Sequence, residues 1–183
     1  LSSSSAASDV YKRQTNQSII EIDSNDDLVN AIKEQADGQT WVFTKKGTYD
    51  VKNTTTGSAG NYSVPEGVYG YPFAFPIYAN NLTITKADGV GDVTITSSYT
   101  PAKNSGGNWH EQNFITIYGV GVTIDGVNLK ANQNLYYGTC NKVIELTGNA
   151  KDFTLSNVNI IPLEGGEGTF GGSIYFGVTD AGT

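Results

Sequence analysis

The sequence contains a single histidine, His110, and both of its neighbours have side chains that could act together with it. Trp109 offers an aromatic ring for stacking, His110 a proton shuttle and Glu111 a carboxylate. The three residues lie in a polar stretch, "YTPAKNSGGNWHEQN" at 99–113, and loops of this composition often carry function. The alternative is that this stretch is an ordinary solvated loop and His110 a surface residue without a catalytic role. It is the favoured interpretation because no second catalytic partner is identifiable.

Tyrosines recur at matching places in the chain. Tyr78 and Tyr118 hold the same position in two related phrases, "IYANNLTI" and "IYGVGVTI". Tyr136 and Tyr137 are adjacent in the polar stretch "ANQNLYYGTCN". A row of exposed aromatic rings can stack on sugars, although cross-strand packing that only stabilises a sheet is the alternative. The candidate ligand-binding residues are therefore Tyr78, Trp109, His110, Tyr118, Tyr136 and Tyr137, with a polysaccharide as the expected partner.

The acidic residues near the related phrases do not form a metal-binding pattern. When the phrases are aligned, Asp125 matches Ser156. Glu145 matches Thr116 and Tyr175, so the carboxylates do not stack into a ladder. Ca²⁺ takes six to eight oxygen ligands, more than these positions can assemble. The residues considered are Asp88, Asp92, Asp125, Glu145 and Asp152. We predict no metal site, and catalytic residues stay unknown.

Composition and charge exclude several classes of function. The 183 residues carry a net charge of −7. Without Asp9, Lys12 and Arg13 it becomes −8, from 9 basic and 17 acidic residues. No basic cluster is present, so nucleic acid is not an expected partner. No apolar run approaches the ~20 residues that span a bilayer. Cys140 is the single cysteine and cannot form an internal disulfide. The acidic, Thr-, Asn- and Gly-rich composition is typical of bacterial surface proteins, so we expect an extracellular or cell-surface location.

The first fourteen residues do not belong to the fold. The segment "SSAASDVYKRQ" at 4–14 matches the translation of a transposase adapter used in sequencing libraries. We therefore treat 1–14 as a disordered artefact and expect the natural N-terminus, with any signal peptide, to lie outside this sequence. Residues 15–183 suit a single domain.

One segment has the pattern of a helix. In "SNDDLVNAIKEQADG" at 24–38, Ser24 and Asp27 have capping-box spacing. An apolar stripe follows at helical spacing, and Gly38 suits the residue after the helix end. The stripe consists of Leu28, Ala31, Ile32 and Gln35. The next segment, "TWVFTKKGTYDV", predicts a strand, a turn and a short strand.

The rest of the chain repeats itself. "FPIYANNLTI" at 75–84 aligns with "ITIYGVGVTI" at 115–124, and further copies begin near "VIELTGNAKDFTL" at 143–155 and "GSIYFG" at 172–177. A period near 30 to 40 residues with short alternating strands predicts stacked coils whose strands pair in parallel. Ile117 would then stack on Ile77. The inward residues would be Ile115, Ile117, Val122, Ile124, Val127 and Leu129, and the outward residues Thr116, Tyr118, Thr123 and Asn128.

The middle of each copy varies because it forms a corner. Gly119 with Gly121, Asn80 with Asn81, and Gly148 with Asn149 would tolerate the left-handed backbone that a corner needs. A β-sandwich is the alternative architecture, but it does not predict the same outward threonine at 83, 123 and 154.

At this point the chain resembles the right-handed parallel β-helix proteins of the pectate-lyase-like superfamily. The segment "DLVNAIKEQADGQTWVFTKKGTYDV" is similar to their entry segment, and the resemblance covers about 22–177. It implies an all-β solenoid with a short N-terminal capping helix. Proteins of this shape include polysaccharide lyases, hydrolases, epimerases and adhesins. Their lyases use clustered carboxylates, Ca²⁺ and an Arg or Lys base, a pattern not found here, so Ca²⁺ is implied by resemblance only.

We therefore expect 15–183 to be the N-terminal part of a single right-handed parallel β-helix domain, truncated at its C-terminus. The expected function is contact with polysaccharide or another surface ligand. One alternative is a polysaccharide lyase or glycoside hydrolase with its active site on later coils. The other is a structural stalk or adhesin, so enzymatic activity stays undecided.

Overall fold

The computed structural model describes residues 18–51, 75–96, 113–130, 142–147, 150–161 and 174–176. The adapter-like segment 1–14 lies outside these ranges. Within them, no helix is long and apolar enough to cross a membrane.

The single helix among the described residues, α1 (Asn25–Lys33), begins as its sequence predicts. Ser24 is the N-cap, and its Oγ accepts a hydrogen bond from the backbone N–H of Asp27 at 3.2 Å. Asp27 Oδ2 in turn accepts from Ser24 Oγ at 2.7 Å and from the Asp23 N–H at 3.3 Å. This reciprocal arrangement satisfies N–H groups that have no partner inside the helix. The buried face of α1 comprises Leu28, Val29, Ala31 and Ile32.

The remaining elements are short strands, and in several of them buried residues alternate with more exposed ones. Their bounds are β1 Ile19–Ile22, β2 Thr40–Phe43, β3 Gly47–Asp50, β4 Phe75–Ile77, β5 Thr83–Lys86, β6 Val93–Thr96, β7 Asn113–Ile117, β8 Thr123–Asp125, β9 Asn128–Lys130, β10 Lys142–Leu146, β11 Thr154–Ser156, β12 Ile160–Ile161 and β13 Ile174–Phe176. Their β-branched and aromatic residues favour extended backbone.

The strands form three parallel sheets. Sheet A has the order β1-β2-β5-β8-β11, sheet B β3-β6-β9-β12, and sheet C β4-β7-β10-β13. The chain visits A, B and C in turn, and each strand pairs in parallel with the equivalent strand of the previous pass. The architecture is therefore an all-β, parallel solenoid with one short helix. The antiparallel hairpins of a β-sandwich are not found among the described strands.

The register confirms the predicted column of apolar residues. Ile77 pairs with Ile117, and Ile84 pairs with Ile124. Leu155 then continues the second row. The inward residues of sheets A, B and C form one buried cluster that also contains the apolar face of α1. A single coil cannot bury its own inner face, so the stacking supplies the core.

The corner before sheet A repeats with the same backbone conformation. Gly38, Asn81, Gly121 and Asp152 each lie two residues before a sheet A strand, and each has a positive φ, between 53° and 77°. Asn and Asp visit this left-handed region more readily than other residues with a side chain. The prediction for Asn81 and Gly121 is confirmed. Gly148 and Asn149 lie outside the described residues.

One residue of the predicted outward set is buried. Thr116 was predicted to face outward with Tyr118, Thr123 and Asn128, and only 1% of it is exposed. It does lie opposite Ile115 and Ile117, as the alternation requires, and Phe114 on the same face is also buried. Around Phe114 and Thr116, sheet C is thus buried on both faces, as parallel sheets commonly are, whereas Tyr118 at the end of the same strand is half-buried. A period of two identifies the face of a residue but not whether that face is covered.

Candidate functional site

The candidate site is the face of sheet C that points away from the core, named here the sheet C outer face. It is formed by alternate residues of three neighbouring strands and of the positions that follow them: Pro76, Tyr78, Phe114, Thr116, Tyr118, Val143, Glu145 and Thr147. Pro76, Phe114, Thr116 and Val143 are buried, whereas the other four are half-buried. The face is therefore buried and mostly apolar towards the amino ends of the strands, and more polar and more exposed at their carboxyl ends.

Tyr78 and Tyr118 lie side by side at this end of the sheet. The Tyr118 N–H donates to the Ile77 carbonyl oxygen at 2.7 Å, which extends the strand pairing to the two tyrosines. Burial raises the pKa of Tyr78. Burial, and secondarily the negative charge of Glu145, raises the pKa of Tyr118 strongly. Both phenols are therefore neutral near pH 7 and keep their hydroxyl protons for donation. Stacking of the two rings stays a prediction.

Gln35, two residues after the end of α1, fixes the backbone beneath Tyr78. Its Oε1 accepts from the N–H groups of Tyr78 at 2.9 Å and Ala79 at 3.2 Å. Its Nε2 donates to the Pro76 and Ile32 carbonyl oxygens, both at 2.9 Å. Strand β4 is the end strand of sheet C, so its outer edge has no neighbour among the described strands. The amide of Gln35 takes the place of that strand.

Glu145 brings a carboxylate to the same face. It pairs in register with Thr116 on β7, and its negative charge contributes to the raised pKa of Tyr118. Two hydroxyl oxygens nearby, Thr116 Oγ1 and Thr147 Oγ1, are buried and find no hydrogen-bond partner in the part of the chain that the structure describes. Buried polar atoms without a partner are rare in native proteins. Each of these hydroxyls therefore carries an uncompensated cost of burial.

A second polar cluster, at the end of sheet A, is better explained by structure. Asp125 Oδ1 accepts from Ser156 Oγ at 2.6 Å and from Asn157 Nδ2 at 2.8 Å. The Ser156 hydroxyl, and after it the Asn157 amide, lowers the pKa of Asp125. The Asp125 carboxylate thus links two successive coils, and the two hydrogen bonds stabilise its ionised form.

The carboxylates do not assemble a metal site where the structure describes them. No group of three or more His, Cys, Asp or Glu side chains in the described ranges is placed to hold a metal ion. Asp125 and Asp152 belong to the sheet A side of the coil, whereas Glu145 belongs to sheet C. The Ca²⁺ implied by resemblance therefore has no matching ligand set among these residues, and no step of a mechanism is assigned to it.

Four of the predicted ligand-binding residues, Trp109, His110, Tyr136 and Tyr137, lie outside the described residues. The connections that contain them, 97–112 and 131–141, lead from sheet B into strands β7 and β10 of sheet C. The connections 52–74 and 162–173 join the same two sheets. The chain order therefore delivers all four long connections to sheet C.

Sequence analysis missed two features of this face. Gln35 was assigned to the apolar stripe of the helix, although a polar residue there was a signal of a buried hydrogen-bonding role. Thr116 was correctly predicted to face outward, but its burial was not predicted. Glu145 was aligned with Thr116 correctly, but its proximity to Tyr118 depends on side-chain placement that the alignment does not contain.

Comparisons of the chain with protein-family models, curated proteins and solved structures find no match.

Proposed function

We propose that this chain is part of an extracellular or cell-surface, right-handed parallel β-helix protein that contacts a polysaccharide through the sheet C outer face. The observation that carries the proposal is the pair of half-buried tyrosines in register, Tyr78 and Tyr118, at the polar end of that face. We also propose that the coil winds in the right-handed sense and that the chain is related to the pectate-lyase-like superfamily. Both proposals are based on the sequence of the entry segment and on the repeat.

The chemistry of the face suits a sugar. A pyranose ring presents apolar C–H groups on its flat side and hydroxyl groups at its edge. Tyrosine offers a matching combination, because its ring is apolar and its hydroxyl is a hydrogen-bonding handle. Binding sites for small polar ligands commonly combine such aromatic surface with a few placed polar groups. Here Glu145, half-buried near Tyr118, is the candidate for such a group.

The tyrosines are also held in place before a ligand arrives. The Tyr78 backbone is fixed by Gln35, and the Tyr118 backbone is fixed by the Ile77 carbonyl. Side chains on a rigid scaffold lose less conformational entropy when they bind. A regular solenoid would also repeat such a face along its axis, which suits a long polymer.

The test is a calorimetric titration of β-1,4-linked glucose, xylose and mannose hexamers and of a galacturonic acid hexamer. We expect one of them to bind, and Tyr118→Ala to weaken that binding about tenfold or more. Tyr118→Phe keeps the ring and should lose less. Thr123→Ala, on the outer side of sheet A, is the matched control and should bind as the unmodified chain does.

Other outcomes favour the alternatives. Release of reducing ends or unsaturated sugars from a polysaccharide would favour a lyase or hydrolase. Absence of binding to every saccharide tested would overturn the proposal and favour a stalk or adhesin. Equal binding by Tyr118→Ala and the unmodified chain would remove the sheet C outer face from the account.

A further inference from the structure

We infer that Asp88 is a site of spontaneous isomerisation to isoaspartate, and that stacking of the coils suppresses the same reaction at the two other Asp-Gly pairs of the chain. Aspartate followed by glycine is prone to this reaction, because glycine has no side chain to hinder attack by its own backbone nitrogen. The three pairs in the sequence are Asp37-Gly38, Asp88-Gly89 and Asp125-Gly126. The inference is independent of the proposed function.

The reaction at Asp88 needs only the protein and water. The backbone nitrogen of Gly89 attacks the side-chain carboxyl carbon of Asp88. A C–N bond forms, the nitrogen loses its proton, and one water molecule leaves, which produces a five-membered succinimide. Water then adds to one of the two succinimide carbonyl carbons and breaks its C–N bond, giving either aspartate or isoaspartate. The water lost in the first step returns in the second, so the net change is an isomerisation without a redox step.

Asp37 and Asp88 form a matched pair in local structure. Each is the exposed middle residue of an Ala-Asp-Gly tripeptide, at 36–38 and 87–89. In both turns the N–H of the residue after the glycine donates to the alanine carbonyl oxygen, at 3.3 Å in the first turn and 3.1 Å in the second. Both glycines have a φ of 77°. A difference in their reactivity must therefore come from contacts with the neighbouring coil.

The neighbouring coil holds both reacting groups of the first pair. The Asp37 carboxylate accepts from the Asn80 N–H at 2.8 Å and from Asn80 Nδ2 at 3.1 Å. The Gly38 N–H, which carries the attacking nitrogen, donates to the Asn80 carbonyl oxygen at 2.8 Å. These bonds must open before nitrogen and carboxyl carbon can meet, and the free-energy cost of such local opening slows the reaction.

The third pair is held in the same way. Asp125 Oδ1 accepts from Ser156 Oγ and Asn157 Nδ2, and the Gly126 N–H donates to the Ser156 carbonyl oxygen at 3.0 Å. The bond from the Ser156 hydroxyl, and after it that from the Asn157 amide, lowers the pKa of Asp125. The carboxyl group therefore stays ionised, and an ionised carboxylate resists attack by a nucleophile.

The second pair lacks these contacts because its turn is longer than those of the adjacent coils. Residues 87–92 join β5 to β6, whereas 44–46 join β2 to β3 and 126–127 join β8 to β9. The tip of the longer turn has no equivalent backbone to stack on. Among the described residues, neither the Asp88 carboxylate nor the Gly89 N–H has a hydrogen-bond partner, and both residues are exposed.

The test is incubation of the chain at neutral pH and physiological temperature for several weeks, followed by peptide mapping with mass spectrometry. Labelling by an isoaspartate methyltransferase provides a second readout. In the folded chain, isoaspartate should form at 88 about tenfold faster or more than at 37 and 125. In concentrated urea the three pairs should react at rates within about threefold of each other, because the contacts between coils are lost.

A variant tests the protection of Asp125 directly. Ser156→Ala combined with Asn157→Gly removes both side-chain donors, and glycine keeps the positive φ of position 157. Isoaspartate at 125 should then form about threefold faster or more, with the rate at 88 unchanged. Equal rates at 88 and 37 in the folded chain, or no isoaspartate at 88, would overturn the inference. A preference for 88 that persists in urea would also overturn it, since local sequence and not coil stacking would then set the rates.

Discussion

The side-chain carbonyl oxygen of Gln35 accepts a hydrogen bond from the backbone N–H of Tyr78 at 2.9 Å. Through this bond the segment that follows helix α1 fixes the backbone of Tyr78, the first of the two tyrosines on the sheet C outer face. The same amide also bonds Ala79 and Pro76, so one side chain replaces a short piece of neighbouring strand. An uncovered strand edge exposes unpaired backbone groups. Gln35 thus contributes both to the stability of this end of the coil and to the geometry of the candidate site.

Replacing Gln35 by Leu should destabilise the protein. The substitution keeps a buried side chain of similar size but leaves the N–H groups of Tyr78 and Ala79 without their acceptor. Each unsatisfied buried group costs about 1–3 kcal/mol, so we expect the free energy of unfolding to fall by about 2–4 kcal/mol. Urea unfolding followed by circular dichroism measures this loss.

The control for this change is Asn30→Ala, which alters an exposed residue of the preceding helix, α1. It should change the free energy of unfolding by no more than about 0.5 kcal/mol. Equal effects of Gln35→Leu and Asn30→Ala would show that the hydrogen bonds to β4 contribute nothing to stability.

Gly119 is the next residue after Tyr118, and its place requires the absence of a side chain. A Cβ added there would overlap the backbone carbonyl oxygen of Ala79 on the preceding coil. Because backbone atoms cannot move aside like the end of a side chain, Gly119→Ala should cost about 3 kcal/mol of unfolding free energy. It should also weaken saccharide binding by displacing Tyr118.

Gly91→Ala is the matched control for Gly119→Ala. A Cβ at Gly91 would lie 3.5 Å from Lys46 Cδ, an ordinary van der Waals contact with a flexible side chain. We expect a change within about 0.5 kcal/mol. Similar losses for both glycines would contradict the close stacking of the corners at 79 and 119.

Alkaline pH should destabilise the fold. Burial raises the pKa of Tyr49, Tyr78 and Tyr118, so the folded chain holds their protons more tightly than the unfolded chain does. The stability that this difference supplies is fully present below about pH 10, the ordinary tyrosine pKa, and is lost as pH rises through the folded values. Urea unfolding at a series of pH values above about 9 should show a falling free energy of unfolding.

A variant isolates the contribution of Glu145 to this titration. Its negative charge is the second cause, after burial, of the raised pKa of Tyr118. Glu145→Gln should therefore lower that pKa, measured from phenolate absorbance as the difference between chains with Tyr118 and with Tyr118→Phe. An unchanged Tyr118 titration would place Glu145 too far away to act on Tyr118 across the sheet C outer face.

Sequence patterns were sufficient for the features that depend on neighbours along the chain or on repetition. Ser24 and Asp27 are three residues apart, so their reciprocal bonds could be predicted. The stacking of Ile117 on Ile77 followed from the repeated phrase, because equal phrases occupy equal places on successive coils. The register of Tyr78 with Tyr118 followed in the same way.

Other features depend on what lies opposite a residue in space. Thr116 has the alternation of a surface residue, and only the covered outer face explains its burial. Gln35 bonds residues more than forty positions away, and no local pattern indicates those partners. The predictions for Trp109, His110, Tyr136 and Tyr137 stay untested, since these residues lie outside the described ranges.

The most direct measurement of the central claim is a titration of ¹⁵N-labelled protein with the saccharide hexamer that binds, followed by amide chemical shifts. The account predicts that the amides of Tyr78, Thr116, Tyr118, Glu145 and Thr147 shift together with one dissociation constant. Those of Thr83 and Thr123 on sheet A should stay in place. Shifts confined to sheets A or B, with the sheet C amides unmoved at saturation, would contradict it.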